Sequence, residues 1–183
     1  MGVGSSASFL RPEEVLRKIG LRAENTFVHL GCGAGFWLIP AAKMVGASGK
    51  AIGLDIRPDM LSEAENRARL QHLDHIVETH RGDLEAPGGS GLKDESADFV
   101  LVANIIHQAD PKKLLTEGKR LLKPKGKLVV VEWDVVASPI GPPPTKRIPK
   151  EEIVREIAES VGLVTQETFD ASPYHYGLIL TRR

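Results

Sequence analysis

Three glycines in close succession, Gly31, Gly33 and Gly35, stand between an apolar run and a stretch with helical spacing. A chain that turns sharply between a strand and a helix needs glycine there, because side chains would keep a ligand away from the backbone N–H groups. In a doubly wound sheet, such a turn lies at the carboxyl ends of the strands, where ligands bind. The motif alone is equally typical of a glycine-rich turn that binds nothing.

Two aspartates follow the glycines, after the next two predicted strands. Asp55 lies about 20 residues beyond the turn, where its two oxygens can accept hydrogen bonds from both hydroxyls of a ribose. The same carboxylate can instead cap a helix that begins near Pro58. Asp83 can accept a hydrogen bond from the exocyclic amine of adenine, although aspartate is also common in turns. The glycine turn and the two carboxylates together indicate a nucleoside site.

The spacing of the glycines argues against a nicotinamide dinucleotide. The fingerprint of dinucleotide-binding folds is G-x-G-x-x-G/A, and counted from Gly31 its last position falls on Phe36. That position must be small so that helix and strand can pack closely, and phenylalanine cannot take its place. Since the spacing here is G-x-G-x-G, we do not expect a dehydrogenase.

The elements that would position these residues alternate between strand and helix over most of the chain. Strands that alternate with helices form right-handed βαβ units and a parallel sheet. The last two predicted strands are joined only by residues 170–173, which leave no room for a helix, so these strands must be antiparallel. We therefore predict an α/β fold whose sheet is parallel except for one reversed strand near an edge. The hydrophobic spacing predicts helices over 12–19, 36–45, 59–71, 112–122 and 151–160, and strands over 26–30, 50–54, 75–79, 98–102, 127–131, 163–169 and 174–180.

Five segments, in order along the chain, together resemble the class I S-adenosylmethionine-dependent methyltransferases. Residues 28–35 are similar to that family's first motif, and residues 53–55 are similar to its ribose-binding strand end. Residues 82–84 are similar to its adenine-binding segment. Residues 98–104 are similar to its fourth strand with the loop under the methionine part, and residues 120–131 to its fifth-strand segment. The nearest branch is that of the small-molecule, ubiquinone-biosynthesis-like enzymes. The resemblance implies a Rossmann-like three-layer sandwich with a seven-stranded, mostly parallel sheet and an antiparallel last strand. It also implies a single methyltransferase domain over residues 1–183, with residues 1–10 as a flexible N-terminus.

The resemblance implies S-adenosylmethionine as the methyl donor and S-adenosylhomocysteine as the product. The family often carries an acidic residue two positions before the first glycine, near the amino group of the ligand, whereas this chain has His29 there. We expect backbone carbonyls or water to hold that amine instead, and His29 can simply pack at the strand end. The cofactor-binding residues that the resemblance implies are Gly31, Cys32, Gly33, Gly35, Asp55, Ile56, Met60, Asp83, Leu84, Ala103 and Asn104.

Methyl transfer from a sulfonium depends largely on the alignment of acceptor, methyl group and sulfur, but a hydroxyl acceptor would benefit from a general base. His107, just beyond the fourth strand, is the candidate catalytic base, although a histidine there can also line the pocket or cap the next helix. Trp133 and the proline-rich residues 137–149 are expected to border the acceptor site. Arg147 in that loop is a candidate contact for an anionic acceptor, and it can also be simply solvated.

Two other functions stay open. The chain could bind S-adenosylmethionine or S-adenosylhomocysteine without catalysing methyl transfer. It could also methylate RNA, for which the only supporting feature is a basic run that is usually a solvated face, made of Lys112, Lys113, Lys119, Arg120, Lys123, Lys125 and Lys127. The fourth strand is not followed by Asn-Pro-Pro-Tyr or Asp-Pro-Pro-Tyr, which removes any resemblance to enzymes that methylate DNA adenine or glutamine amides. No metal is expected, because the acidic arrangement of magnesium-dependent catechol enzymes is missing.

The composition is that of an ordinary globular protein of 183 residues, with 24 basic and 24 acidic side chains. Because the charges balance, no overall electrostatic field attracts the chain to nucleic acid or to an anionic membrane. No apolar run is long enough to span a bilayer, and residues 1–8 lack the basic and apolar parts of a signal peptide. Cys32 is the only cysteine, so neither an internal disulfide nor a zinc cluster is expected. We expect a cytoplasmic monomer or homodimer that acts on a small molecule, with neither a membrane nor nucleic acid as its partner.

Overall fold

Residues 10–183, which a computed structural model describes, form one seven-stranded sheet. Its strands are β1 (Thr26–Leu30), β2 (Lys50–Asp55), β3 (Val77–Arg81), β4 (Ala97–Ala103), β5 (Leu122–Trp133), β6 (Leu163–Ser172) and β7 (His175–Arg182). They lie side by side in the order β3-β2-β1-β4-β5-β7-β6. The first five pair in parallel, whereas β7 runs antiparallel to both β5 and β6. The predicted fold class, including the reversed last strand, is therefore confirmed.

Helices cover both faces of the sheet and complete the predicted three-layer sandwich. One apolar core packs under α1 (Pro12–Lys18), α2 (Leu38–Val45) and α3 (Pro58–Leu70). A second core, on the other face, packs under α4 (Pro111–Leu121) and under the π-helical segment Ile153–Ala158, which continues the short α5 (Lys150–Glu152). Proline opens α1, α3 and α4, where its fixed φ suits a first helical turn. The start of α4 is also capped by Asp110, whose carboxylate accepts hydrogen bonds from the N–H groups of Lys112 and Lys113.

Several element boundaries differ from the prediction. Helix α2 begins at Leu38 rather than at residue 36, and Phe36 is left half exposed in the preceding turn. Strand β5 begins as soon as α4 ends, because Leu122 pairs with Ala97 before residues 123–126 bulge out and pairing resumes at Lys127. The hairpin of β6 and β7 is also longer than predicted, since pairing continues almost to its tip.

The prediction of a flexible N-terminus over residues 1–10 concerns residues that the structure mostly does not describe. Residues 1–9 lie outside the described residues, so their flexibility stays a prediction. The first described residue, Leu10, is buried in the same apolar core as α1 and α2. Among residues 10–183, no helix is both long enough and apolar enough to cross a membrane.

One histidine lies inside the core beneath the glycine turn. His29 on β1 is only 2% exposed, and it pairs in register with Gly53 of β2 and Leu101 of β4. Neither of its ring nitrogens has a hydrogen-bond partner within the described part of the chain. Burial away from water lowers the pKa of His29 to about 3, so the ring is neutral near pH 7.

The buried ring predicts a loss of stability in mild acid. In the unfolded chain this ring takes up a proton below its ordinary pKa of about 6.5, whereas in the folded chain it stays neutral down to about pH 3. Between these two pH values the proton binds only to the unfolded chain. The free energy of unfolding therefore falls as the pH decreases through this range. From about pH 7.5 to about pH 5, the variant His29→Leu should therefore lose about 2 kcal/mol less than the unchanged chain. Urea denaturation at the two pH values measures this difference. The control is His75→Asn at an exposed position, and equal losses in His29→Leu and the unchanged chain would contradict the prediction.

Candidate functional site

A cleft of about 530 Å³ lies at the carboxyl ends of β1, β2 and β4. Because β1 has β2 on one side and β4 on the other, this is the point where the strand order reverses, which is the usual ligand site of an open α/β sheet. The volume falls within the roughly 300–1,000 Å³ of small-molecule sites. Eight of the predicted cofactor-binding residues line the cleft, namely Gly31, Gly33, Asp55, Ile56, Met60, Asp83, Leu84 and Asn104.

Asp55 holds the glycine turn in place. Its two carboxylate oxygens accept hydrogen bonds from the N–H of Gly33 at 2.9 Å and from the N–H of Arg57 at 3.0 Å. The N–H of Gly31 donates to the carbonyl of Leu54 at 2.8 Å. The turn after β1 is thus fastened to the end of β2, and each carboxylate oxygen keeps a lone pair with which it can accept from a ligand. The sequence interpretation of Asp55 as a helix cap is wrong, because the N-cap residue of α3 is Arg57 and no side chain caps the helix, whereas Asp55 accepts from the N–H of Arg57 and lines the cleft.

Two of the glycines are required for different reasons. Gly31 has a φ of +76°, and a Cβ there would collide with the side chain of Ile105, which closes the turn from the β4 side. Gly33 has a φ of +50°, and a Cβ there would meet nothing within 4 Å. Gly31 therefore allows close packing, whereas Gly33 leaves the backbone accessible from the cleft.

Three of the predicted cofactor-binding residues lie behind the cleft instead of lining it. The Cys32 side chain turns down over Gly53 of β2, and burial, together with the charge of Asp55, raises the pKa of its thiol to about 12. Gly35 lies against Ala64 and lets α3 approach the turn. Ala103 is buried at the end of β4. These residues build the turn, so a direct ligand contact from any of them stays a prediction.

Apolar side chains around β2 and β3 form one wall of the cleft. Ile56, Met60 and Leu84 contribute to it, and Ile56 is 58% exposed, which is unusual for isoleucine. Asp83 uses one oxygen to accept from the N–H of Glu85 at 2.9 Å. This wall suits a flat apolar ring that carries a hydrogen-bond donor at its edge.

His107 lies beside the cleft and is oriented by a buried carboxylate. Its Nδ1 lies 3.2 Å from Oε1 of Glu132, and its Nε2 lies 3.0 Å from the amide nitrogen of Gln108. Because that amide nitrogen can only donate, Nε2 is the acceptor and Nδ1 carries the proton towards Glu132. Glu132 is fully buried and also accepts from the N–H groups of Ile106 at 3.0 Å and Trp133 at 2.8 Å. The arrangement fixes the orientation of the imidazole, with Nε2 turned towards Gln108, which lines the cleft.

Sequence reasoning missed Glu132, although a signal was present. An acidic residue stands at the end of the apolar run 128–131, where both faces of the strand are covered. A carboxylate in such a place needs partners, and these come from the segment after β4. Sequence reasoning also missed Arg57, Glu85 and Gln108, which line the cleft.

Arg147 ties together the loop that follows β5. The residue is 6% exposed, and its guanidinium donates to the carbonyls of Asp134, Val136, Ile140 and Pro142. It also donates to the hydroxyl of a loop serine and lies 5.2 Å over the ring of Trp133, which is itself buried. The cation is therefore not solvated. Since its donors are occupied by the loop, contacts of Arg147 and Trp133 with an acceptor stay predictions.

A family model described as "Methyltransferase domain" matches residues 21–167. The demethylmenaquinone methyltransferase of Oceanobacillus iheyensis is 30% identical over 121 residues, which are 66% of this chain and 49% of that protein. The protein of the same name from Lactobacillus johnsonii is 32% identical over 130 residues, which are 70% of this chain and 52% of that protein. The chain thus spans about half the length of these curated relatives.

A solved structure matches over a larger share of both chains. It is described as a SAM-dependent methyltransferase from Aquifex aeolicus and superposes with a TM-score of 0.86 at 29% identity. The match covers 97% of this chain and 93% of that one. The fold of this chain therefore closely matches one that is known from experiment.

The contacts of Arg147 predict that its loss loosens the loop over residues 134–147. In Arg147→Met the carbonyls now bound to the guanidinium lose their donor, and the unfolding free energy should fall by about 2–4 kcal/mol. Hydrogen–deuterium exchange of the loop amides should accelerate at least about tenfold, since each lost 1.4 kcal/mol of protection is a factor of ten. Lys146→Met, at the exposed neighbouring residue, is the control. Equal exchange in the two variants would show that Arg147 does not hold the loop.

Proposed function

Since this chain belongs to the methyltransferase domain family, in its class I, S-adenosylmethionine-dependent branch, we propose that it transfers a methyl group from S-adenosylmethionine to a small-molecule acceptor. The membership confirms the resemblance drawn from the motifs. The observation that carries the proposal is that residues from the ends of four strands meet in one cleft. Gly33, Asp55, Asp83 and Asn104 follow four different strands, yet all of them line the same space.

The residues of the cleft fit the three parts of the cofactor. Asp55 stands at the edge of the glycine turn with lone pairs for the ribose hydroxyls, and Asp83 with the apolar wall of Ile56 and Leu84 suits the adenine. The glycine turn and Asn104 remain for the methionine part. When bound, S-adenosylmethionine supplies an electrophilic methyl group on its sulfonium.

The exposed apolar side chains of the loop after β5 favour an acceptor with an apolar part. Val135, Val136 and Ile140 are 47%, 43% and 45% exposed in the loop after β5. This loop begins next to Glu132, which binds His107. Two relatives are named for demethylmenaquinone, and a quinone-type acceptor in its reduced, hydroxyl-bearing form combines an apolar body with a group that a base can deprotonate.

His107 is proposed as the general base for such a hydroxyl. Its Nδ1 proton is directed at Glu132, so Nε2 can take a proton from an acceptor that displaces the Gln108 amide. Glu132 does not reach the acceptor, because it is fully buried, and it acts by holding the ring.

No structural observation favours the RNA alternative. Four members of the basic run are held within the fold: Lys119 donates to the Val161 carbonyl, Arg120 binds Glu117, Lys123 binds Asp98, and Lys127 donates to the Ile19 carbonyl. We further propose one methyltransferase domain over residues 1–183 that acts in the cytoplasm as a monomer or homodimer. The buried free thiol of Cys32 suits such a reducing compartment.

The cofactor assignment predicts tight and selective binding of S-adenosylhomocysteine. Isothermal titration should show this ligand bound and NAD not bound. Asp55→Asn removes the charge that both fastens the turn and receives the ribose, so the affinity should fall at least about tenfold. Asp74→Asn, at an exposed position that does not line the cleft, is the control and should leave the affinity unchanged. Binding of NAD in place of S-adenosylhomocysteine would overturn the cofactor assignment.

The base assignment predicts a loss of turnover without a loss of cofactor affinity. A panel of reduced naphthoquinones, including demethylmenaquinol, and simple phenols serves to detect methyl transfer from radiolabelled S-adenosylmethionine. With a methylated acceptor, His107→Asn should lower turnover by about a hundredfold or more, and Glu132→Gln should lower it by less. Both variants should keep their affinity for S-adenosylhomocysteine, as should His80→Asn, an exposed control with full turnover. Methyl transfer to no member of the panel would favour the non-catalytic binding protein.

A further inference from the structure

The side chain of Gln108 lies between the proposed base and the cleft. Gln108 is among the described residues that line the cleft, whereas His107 is not. The side chain of His107 is only 8% exposed, and Gln108 is an exposed residue. A group that is bound in the cleft therefore meets Gln108 before it meets the imidazole.

The hydrogen bonds of Gln108 fix which of its amide atoms faces His107. The amide nitrogen lies 3.3 Å from the carbonyl oxygen of Asn104, and because a carbonyl can only accept, this nitrogen is the donor. The same nitrogen lies 3.0 Å from Nε2 of His107. The amide has two hydrogens, one for each of these partners. The lone pair of Nε2 is therefore occupied by Gln108.

Glu132 requires the same tautomer from the other side of the ring. Nδ1 of His107 lies 3.2 Å from Oε1 of Glu132, and a carboxylate can only accept, so Nδ1 carries the hydrogen and Nε2 the lone pair. Glu132 is itself held by the N–H groups of Ile106 and Trp133. The tautomer therefore does not depend on Gln108, which decides only whether the lone pair can be reached.

Little holds the Gln108 side chain where it is. It ends a single 3₁₀ turn, residues 106–108, in which the backbone N–H of Gln108 donates to the carbonyl of Ile105 at 2.9 Å. Among the described residues, the side chain bonds only to Asn104 and His107. An exposed side chain changes rotamer within nanoseconds. The amide can therefore leave Nε2 without any movement of the turn.

We propose that Gln108 is a gate over His107, whose amide covers Nε2 and turns away when a methyl acceptor that can donate a hydrogen bond replaces it there. The inference rests on the proposed function, because it needs His107 as the base. A hydroxyl restores the lost bond and presents the proton that the base removes. A compound without such a hydrogen displaces the amide without replacing its bond. Gln108 is thus a positioning residue that selects hydroxyl-bearing methyl acceptors.

The hydrogen bond is tested without any methyl acceptor. Long-range proton–nitrogen NMR of the histidine rings shows which nitrogen of His107 carries hydrogen, and we expect this to be Nδ1. Gln108→Leu keeps the bulk of the side chain but not its donor. In this variant the tautomer should stay, and the Nε2 resonance should shift towards that of a nitrogen without a hydrogen bond. The control is Gln166→Leu, which removes an exposed amide that donates to Thr181 and should shift neither resonance.

The covering of Nε2 is tested by chemical access. Diethylpyrocarbonate acylates an imidazole nitrogen through its free lone pair, and mass spectrometry resolves the reaction at each histidine. Gln108→Ala removes both the donor and the cover, so His107 should react about threefold to tenfold faster, which is the factor that one neutral hydrogen bond contributes. Gln166→Ala is the control and should leave the rate at His107 unchanged.

The same competition should appear in the kinetics with a methyl acceptor from the panel of quinols and phenols. With S-adenosylmethionine in excess, Gln108→Ala should lower the KM for the methyl acceptor by about threefold to tenfold, because no amide has to be displaced, and kcat should not fall. A lower kcat with an unchanged KM would show that Gln108 assists the transfer instead of gating the base.

Three further outcomes would overturn the inference and leave the proposed function intact. They are a hydrogen on Nε2 of the unchanged chain, an unmoved Nε2 resonance in Gln108→Leu, and equal acylation of His107 in Gln108→Ala and the unchanged chain. These measurements decide the question even if no member of the panel is methylated. Full turnover of His107→Asn would instead refute the base role itself, and the gate would fall with it.

Discussion

The hydrogen bond from the N–H of Gly33 to the carboxylate of Asp55 is the contact on which the rest of the site depends. It joins residues 22 positions apart and fastens the turn after β1 to the end of β2. The second oxygen of Asp55 fixes the start of α3 through the N–H of Arg57. Because these bonds involve a charged acceptor, they are stronger than ordinary turn bonds. The same carboxylate therefore builds the turn and presents lone pairs to the cleft, which couples local folding to ligand binding.

A second carboxylate does the corresponding work between β4 and β5. Glu132 accepts from the backbone of Ile106 and Trp133 and from the ring of His107, so it joins the segment after β4 to the end of β5. The two sites differ in exposure. Asp55 borders the cleft and can touch a ligand, whereas Glu132 is fully buried and can only orient another group. Exposure thus separates a carboxylate that we propose to bind ligand from one that only positions other groups, although both stand at strand ends.

The sequence was sufficient for the sheet and for most of the cofactor cleft, because those features rest on local signals. Glycine spacing, aspartates at strand ends and the short link before the last strand are each open to more than one interpretation, but together they indicate one arrangement in an alternating α/β chain. The pairing of His107 with Glu132 was not accessible, since it spans 25 positions and depends on the register of two parallel strands. Arg147 looked like a surface cation because a sequence does not show how many carbonyls a folded loop directs at one side chain. Cys32 lies within the glycine motif, yet its side chain packs behind the turn, which depends on the space above Gly53.

The two sides of the site differ in how completely their polar groups are paired within the described chain. In the loop after β5, Arg147 distributes its donors over five acceptors, so this wall is ordered by its own contacts. Near Gly31, both ring nitrogens of His29 and Oδ1 of Asn104 are buried without partners among residues 10–183. An unpaired buried group costs roughly 1–3 kcal/mol, and a ligand that binds only the folded chain returns stability in proportion to its saturation. On the proposed function, the cleft is the part of the fold whose stability is linked to ligand, whereas the loop after β5 is ordered by its own contacts.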